Sequence, residues 1–400
     1  MKHIIFIGDG MADYPLKELD GKTPLQVAKT PNIDALASKA RCGLFRTIPE
    51  DFNTGSAVAN LSVLGYDPKV HFHGRGVLEA AAMGIKIGPN DVALRVNTLC
   101  IAGNKIKNHS GGHISNKEGA ELIKEISKRL GTDKVKFYPG VSYRHLLVLK
   151  DEFSEDVECE PPHDHPGEEF KKLLPKPMSE KGKKTAELLN KLISDSKEIL
   201  GSHPVNIKRK EQGKDVANML WPWSPGKKPS MKTFQELYKI KGAVISAVDL
   251  VKGLGIYAGF DAIKVEGATG LFDTNFEDKA DAAVKALEKY DFVYVHLEAP
   301  DEASHEGNLK LKIKTIEDFD KRLVGRVVSK IDMGETVIAV LPDHPTPIES
   351  RIHVRDPVPF LVYNPNVEGD SVKEFDEKSV KNGSLGLVRF DGFIQLVIEE

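Results

Sequence analysis

Short apolar runs, each followed closely by an aspartate or a histidine, limit this chain most. Residues 3–7 stop at Gly8-Asp9-Gly10. Residues 292–297 lead into Asp301 and His305, and residues 336–341 lead into Asp343-His344. Runs this short and this apolar read as strands buried on both faces. A further strand is predicted over 243–248. Helical patterns fall over 251–259 and 280–290, and a long amphipathic helix over 313–331. Alternating strands and helices predict an α/β fold with a doubly wound, mostly parallel sheet. In such sheets ligands gather beyond the carboxyl ends of the strands, where these acidic and imidazole residues stand.

The middle of the chain has another character. Residues from about 90 to 215 are richer in lysine, proline and loop signals. A strand is predicted over 144–149, and 161–184 is charged and broken by prolines. Four hundred residues exceed one small core,. The expected organisation is a first domain built from 1–88 and 216–400, with a smaller α+β cap inserted at 89–215.

Composition narrows the function classes. The net charge of −3 provides no global field for nucleic acid or an anionic membrane,. A small anion would need a local basic pocket. Cys42, Cys100 and Cys159 are scattered and odd in number. They fit neither a disulfide framework nor a zinc knuckle, but do fit a reducing cytoplasm. The apolar start is too short for a signal peptide, and no stretch reaches the length of a membrane span.

Asp9, Asp301, His305, Asp343, His344 and His353 supply three carboxylates and three imidazoles. Asp301 and His305, spaced i,i+4, share one helix face with Cβ atoms ~6 Å apart. Such ligands suit zinc, manganese or similar divalent ions. Six are too many for one catalytic ion, and about right for two that clamp a phosphoryl group. Thr54-Gly55-Ser56 opens a helix that ends at Gly65. A serine there has helix N–H groups beside it, and a bound ion would activate its hydroxyl. Ser56 is therefore the expected nucleophile, with Thr54 as the rival. Taken singly, each residue has an ordinary reading as a turn, a cap or a solvated face. The case rests on their joint occurrence at strand ends.

The order Asp9, Ser56, Asp301-x-x-x-His305, Asp343-His344, His353 resembles the alkaline phosphatase superfamily. The stretches GDGMADYP, TGSAVANLSVLGYDP, HLEAPDEASHEG and LPDHPTPI resemble the archaeal-type, cofactor-independent phosphoglycerate mutases. Similar stretches run over nearly the whole chain. The resemblance implies that Asp9, Asp343 and His344 hold one ion with Ser56 bound to it. Asp301, His305 and His353 would then hold the other. The ions expected are Mn²⁺ or Zn²⁺, with Mg²⁺ and Co²⁺ as alternatives, and no 2,3-bisphosphoglycerate is required. It also implies an isomerase that moves phosphate between 3- and 2-phosphoglycerate through a phosphoserine. One position departs from the pattern: Ala57 follows Ser56 where many relatives have aspartate.

Substrate contacts expected from this resemblance are Arg144, Lys252, His113 and Arg75. The alternatives are a homoserine kinase-like phosphotransferase and a metal-dependent phosphohydrolase. The expected partner is a small phosphorylated substrate, not nucleic acid or membrane, and the motifs leave the oligomeric state open.

Overall fold

The apolar runs become neighbours in a single eight-stranded sheet. The computed structural model describes residues 1–398. In spatial order the sheet runs Asp261–Ala262, Gly242–Ile245, Phe292–Leu297, Lys2–Gly8, Thr336–Leu341, Val358–Tyr363, Arg41–Arg46 and Gly386–Arg389. The first five strands are parallel. Val358–Tyr363 alone runs against its neighbours, so the sheet is mostly parallel, as expected. Burial on both faces explains the lack of alternation: Phe292–Leu297 and Thr336–Leu341 are buried at every position. One face packs Ile4, Phe6, Val295 and Val340 against Phe276, Ala283, Leu323 and Val327 of the covering helices.

The chain folds as two compact units. One is made of Met1–Phe72 and the chain from Ser230 onward, the other of His73–Pro229. These cuts lie outside 89–215 at both ends, for a packing reason. The strand Met219–Lys227 pairs with Val92–Ala102 along most of its length. The helix Arg75–Ala82 presses on the same strand so closely that a Cβ at Gly76 would meet the Ala93 carbonyl at 2.5 Å. The His73–Pro229 unit is an antiparallel sheet in which Val92–Ala102 also pairs with Lys105–Asn108 and Arg144–Leu149. Val135–Tyr138 lies beyond Arg144–Leu149. Leu122 and Ile126 of the helix Asn116–Leu130, with Leu189 and Leu192 of Lys183–Gly201, fill its core. Its two ends lie against each other. A Cβ on Gly226 would stand 1.5 Å from the His73 carbonyl oxygen, and one on Gly74 would meet that of Pro225 at 2.2 Å.

The long helix departs from expectation. It starts at Leu309 and ends at Val328, and Phe319–Val324 is a π-helical turn within it. That turn presents Asp320, which accepts hydrogen bonds from the backbone N–H groups of Asn32 and Ile33 at 3.0 and 2.8 Å. The helix Pro31–Ala37 is capped in this way from a distant element, because the Thr30 side chain makes no capping bond.

Candidate metal centre

Three buried carboxylates meet where the parallel strands end. Asp9 follows Lys2–Gly8, Asp301 lies in the helix Ala299–His305 after Phe292–Leu297, and Asp343 follows Thr336–Leu341. The turn after Asp9 must come very close to the helix. Gly10 has a φ of +63°, and a Cβ there would stand 2.4 Å from Asp301 Oδ1. Glycine satisfies both demands.

The imidazoles enter this carboxylate cluster. His344 Nε2 lies 3.4 Å from Asp9 Oδ1 and 3.6 Å from Asp343 Oδ2. His305 Nε2 is 3.0 Å from Asp301 Oδ2, and His353 Nε2 is 3.5 Å from the same oxygen. Ser56 Oγ, at the start of the helix Ser56–Val63, is 3.2 Å from His344 Nε2. All seven expected metal-site residues therefore lie around one cluster.

Outer partners fix the ring orientations. His305 Nδ1 lies 2.8 Å from the Arg351 carbonyl oxygen. A carbonyl only accepts, so Nδ1 carries a proton, and Nε2 is the nitrogen that faces Asp301 and would face a bound ion,. The Thr346 hydroxyl donates to Asp301 Oδ1 at 2.5 Å and lies 3.2 Å from His344 Nδ1. It therefore accepts from Nδ1–H, and His344 Nε2 is the inward lone pair. Hydrogen bonding of the outer nitrogen is the usual way a protein orients a metal-binding imidazole.

The donor set fits divalent cations. Among the described residues, no lysine or arginine forms an ion pair with Asp9, Asp301 or Asp343. Both Asp9 oxygens are buried without a hydrogen-bond partner. Burial, reinforced by Asp343 and Asp301, pushes the Asp9 carboxyl well above the usual carboxylate range. Burial also works to raise Asp301, but hydrogen bonds from His305 and His353 outweigh it and hold that carboxyl well below. The Asp301 hydrogen bond in turn raises His305 to about 9. Uncompensated buried carboxylates are expensive, and bound cations remove that cost. By mutual distance, one potential ligand group is Asp9, His296 and Asp343, the other Asp301, His344 and His353. His344 thus lies close to both groups, and His296 is a residue the sequence reading did not select.

Two further residues were missed. Asn60, fully buried, donates to Asp343 Oδ2 and to the Ser56 carbonyl, both at 2.8 Å. Its own Oδ1 accepts from the Tyr294 hydroxyl at 2.5 Å. Thr346 links His344 to Asp301 as described. Their signal in the sequence is faint: polar residues within otherwise apolar, buried segments.

The expected substrate contacts lie in both units. Lys252, in the helix Asp249–Tyr257, pairs with Asp249 Oδ1 at 2.8 Å. In the His73–Pro229 unit, Arg144 stands over the Tyr143 ring at 5.8 Å, and His113 is exposed with a φ of +50°. Burial lowers the Arg75 guanidinium, and the charge of Arg95 adds to this. Arg95, absent from the sequence-based set, pairs with Glu79 at 2.9 Å and stacks on Trp223 at 4.5 Å. His163 meets Trp223 edge-on, and His109 lies between His163 and Tyr143.

Comparison with known proteins gives the family. The model of the 2,3-bisphosphoglycerate-independent phosphoglycerate mutase family matches residues 37–206. That of type I phosphodiesterase / nucleotide pyrophosphatase matches residues 177–359. A Methanosarcina acetivorans protein named 2,3-bisphosphoglycerate-independent phosphoglycerate mutase is 50% identical over 402 residues, covering 100% of each chain. The chain belongs to this mutase family. A Geobacter sulfurreducens protein, named as a probable mutase of the same kind, is 49% identical, with 98% of each chain covered. Among solved structures, the cofactor-independent phosphoglycerate mutase of Thermoplasma acidophilum matches with a TM-score of 0.70 at 31% identity. The match covers 100% of this chain and 99% of that one. The mutase family thus accounts for the fold over the full length. No helix among the described residues is long and apolar enough to cross a membrane. The three cysteines are free.

Proposed function

We propose that this chain is a metal-dependent isomerase of the cytoplasm that interconverts 3-phosphoglycerate and 2-phosphoglycerate, with Ser56 as the phosphoryl carrier. The observation that carries the reading is the Ser56 hydroxyl 3.2 Å from His344 Nε2, beside three buried carboxylates that have no lysine or arginine partner. Asp9, Asp343, His344 and Ser56 would hold one divalent ion and Asp301, His305 and His353 the other, with Mn²⁺ or Zn²⁺ the best chemical match. Such a pair supplies Lewis acidity to the phosphoryl oxygens and lowers the pKa of the serine hydroxyl.

The protein's own groups do the rest. Ser56 Oγ loses its proton and forms a bond to phosphorus as the bond from phosphorus to the C3 oxygen breaks, and that oxygen takes up a proton. The glycerate then turns. Its 2-hydroxyl loses a proton and takes the phosphoryl group back as the bond from phosphorus to Ser56 Oγ breaks, and Oγ regains its proton. N–H groups at the start of the Ser56–Val63 helix favour the anionic group. Arg75, His113, Arg144 and Lys252 are assigned to the carboxylate and phosphate of the substrate. Water must be kept from the phosphoserine between the two transfers.

The test is phosphorus NMR of Mn²⁺-loaded protein with 3-phosphoglycerate. The expected product is 2-phosphoglycerate with no added bisphosphoglycerate. Release of free phosphate would point to hydrolysis. Product formed only with ATP and homoserine would point to a kinase. Ser56→Ala should abolish turnover while keeping both ions by elemental analysis, and substantial residual turnover would move the nucleophile elsewhere.

A further inference from the structure

His296 is a histidine in the middle of a sheet. It belongs to Phe292–Leu297, is fully buried, and pairs in register with Ile7, two residues before Asp9. Its Nε2 lies 3.0 Å from Asp9 Oδ2. Despite that distance, neither atom has a hydrogen-bond partner.

The outer nitrogen of the ring meets a hydroxyl. The Ser246 hydroxyl accepts from Val248 N–H at 3.0 Å, and its proton points to the Val248 carbonyl at 3.5 Å. With the hydroxyl proton on that carbonyl, His296 Nδ1, 3.3 Å from the same oxygen, is the donor,. Nε2 is left as a lone pair facing the lone pairs of a buried carboxylate. Two such groups repel unless a cation lies between them. Outer bonds to Nδ1 prepare His305 and His344 in the same way, through a carbonyl and a hydroxyl. His296, Asp9 and Asp343 each offer an atom within 4.8 Å of the others.

We propose that His296 Nε2 is a ligand of the ion held by Asp9 and Asp343, oriented by Ser246. The inference rests on the two-ion reading above and extends it. It has a consequence for metal choice. With His296, imidazole nitrogen takes a larger share of that position, which favours Zn²⁺ over Mg²⁺.

Two measurements test it. Crystals of the unsubstituted protein soaked in Zn²⁺ should give an anomalous peak at a zinc–nitrogen distance of about 2.0–2.1 Å from His296 Nε2. A peak near Asp9 but more than about 3 Å from that nitrogen, well beyond any zinc–nitrogen bond, overturns the proposal. In solution, calorimetric titration with Zn²⁺ and with Mg²⁺ should show two sites in the unsubstituted protein. His296→Asn should weaken Zn²⁺ at one of them by at least about tenfold and leave Mg²⁺ less affected, since even outer partners of a metal site matter by 10–100-fold. Unchanged Zn²⁺ affinity in a folded His296→Asn variant overturns the ligand role. Should that variant fail to fold, the crystal measurement alone decides. Two ions found with His296 outside bonding distance reject this inference and keep the two-ion site. No ion at Asp9 in the unsubstituted protein rejects both.

Discussion

Asn60 holds three parts of the site with one side chain: the Asp343 carboxylate, the turn below Ser56 and the Tyr294 hydroxyl. Asn60→Ala would leave a buried phenol and a buried carboxylate short of partners, a loss of about 2–3 kcal/mol by the usual cost of unsatisfied buried groups. Urea unfolding should show it as a lower midpoint at unchanged slope, and an unaltered midpoint would contradict the network. Gly10→Ala should be worse for the site than for the fold. Its Cβ would strike Asp301, so bound metal should fall even where the circular dichroism spectrum stays that of the parent. What was legible at this scale follows from chemistry. Asp9, Asp301 and Asp343 stand out because a carboxylate just past an apolar strand is conspicuous. His296, Asn60 and Thr346 are not, because a single polar residue inside an apolar segment reads as an ordinary core position. Only the surroundings reveal which atoms it serves.

Between elements, Asp320 shows how a helix start can depend on a residue far away in sequence. It caps Pro31–Ala37 from the π turn of another helix, with Asn32 Nδ2 adding a bond at 2.7 Å. Asp320→Ala should cost about 1–2 kcal/mol, the range for losing a helix cap. Thermal melts should show a lower midpoint, and a Tm equal to the parent's would show the cap to be dispensable. The sequence disclosed the strands well, because burial on both faces leaves a short unbroken apolar run. It disclosed the long helix as one amphipathic stretch, since a single wide turn shifts the 3.6-residue pattern too little to register. The extent of the second unit was also hidden. Arg75–Ala82 and Met219–Lys227 look like any helix and any strand until their pairing with Val92–Ala102 is known.

The stability of the whole molecule should carry the mark of one buried amine. Lys279 is fully buried, and its Nζ has no hydrogen-bond partner. Burial pushes it down to about 8, while Glu298 pulls it up and Lys252 pushes it down. The unfolded chain would bind this proton up to about pH 10.4. Between these values the unfolded state holds more protons, so this group's contribution to stability rises with pH. Below pH 8 the penalty is at its full size, about 3 kcal/mol. Lys279→Met should therefore be more stable than the parent at pH 7, by an amount that shrinks toward pH 10. A gap independent of pH would reject this account.

The glycine-lined contact between residues 73–74 and 225–226 bears on how such a chain can assemble. Once His73–Pro229 has folded, the points where the chain enters and leaves it are held together. The surrounding polypeptide then has to close only a gap comparable to a tight turn. The entropy of closing a loop grows with the logarithm of its length, so the inserted segment, however long, adds little to the cost of joining the strands on either side.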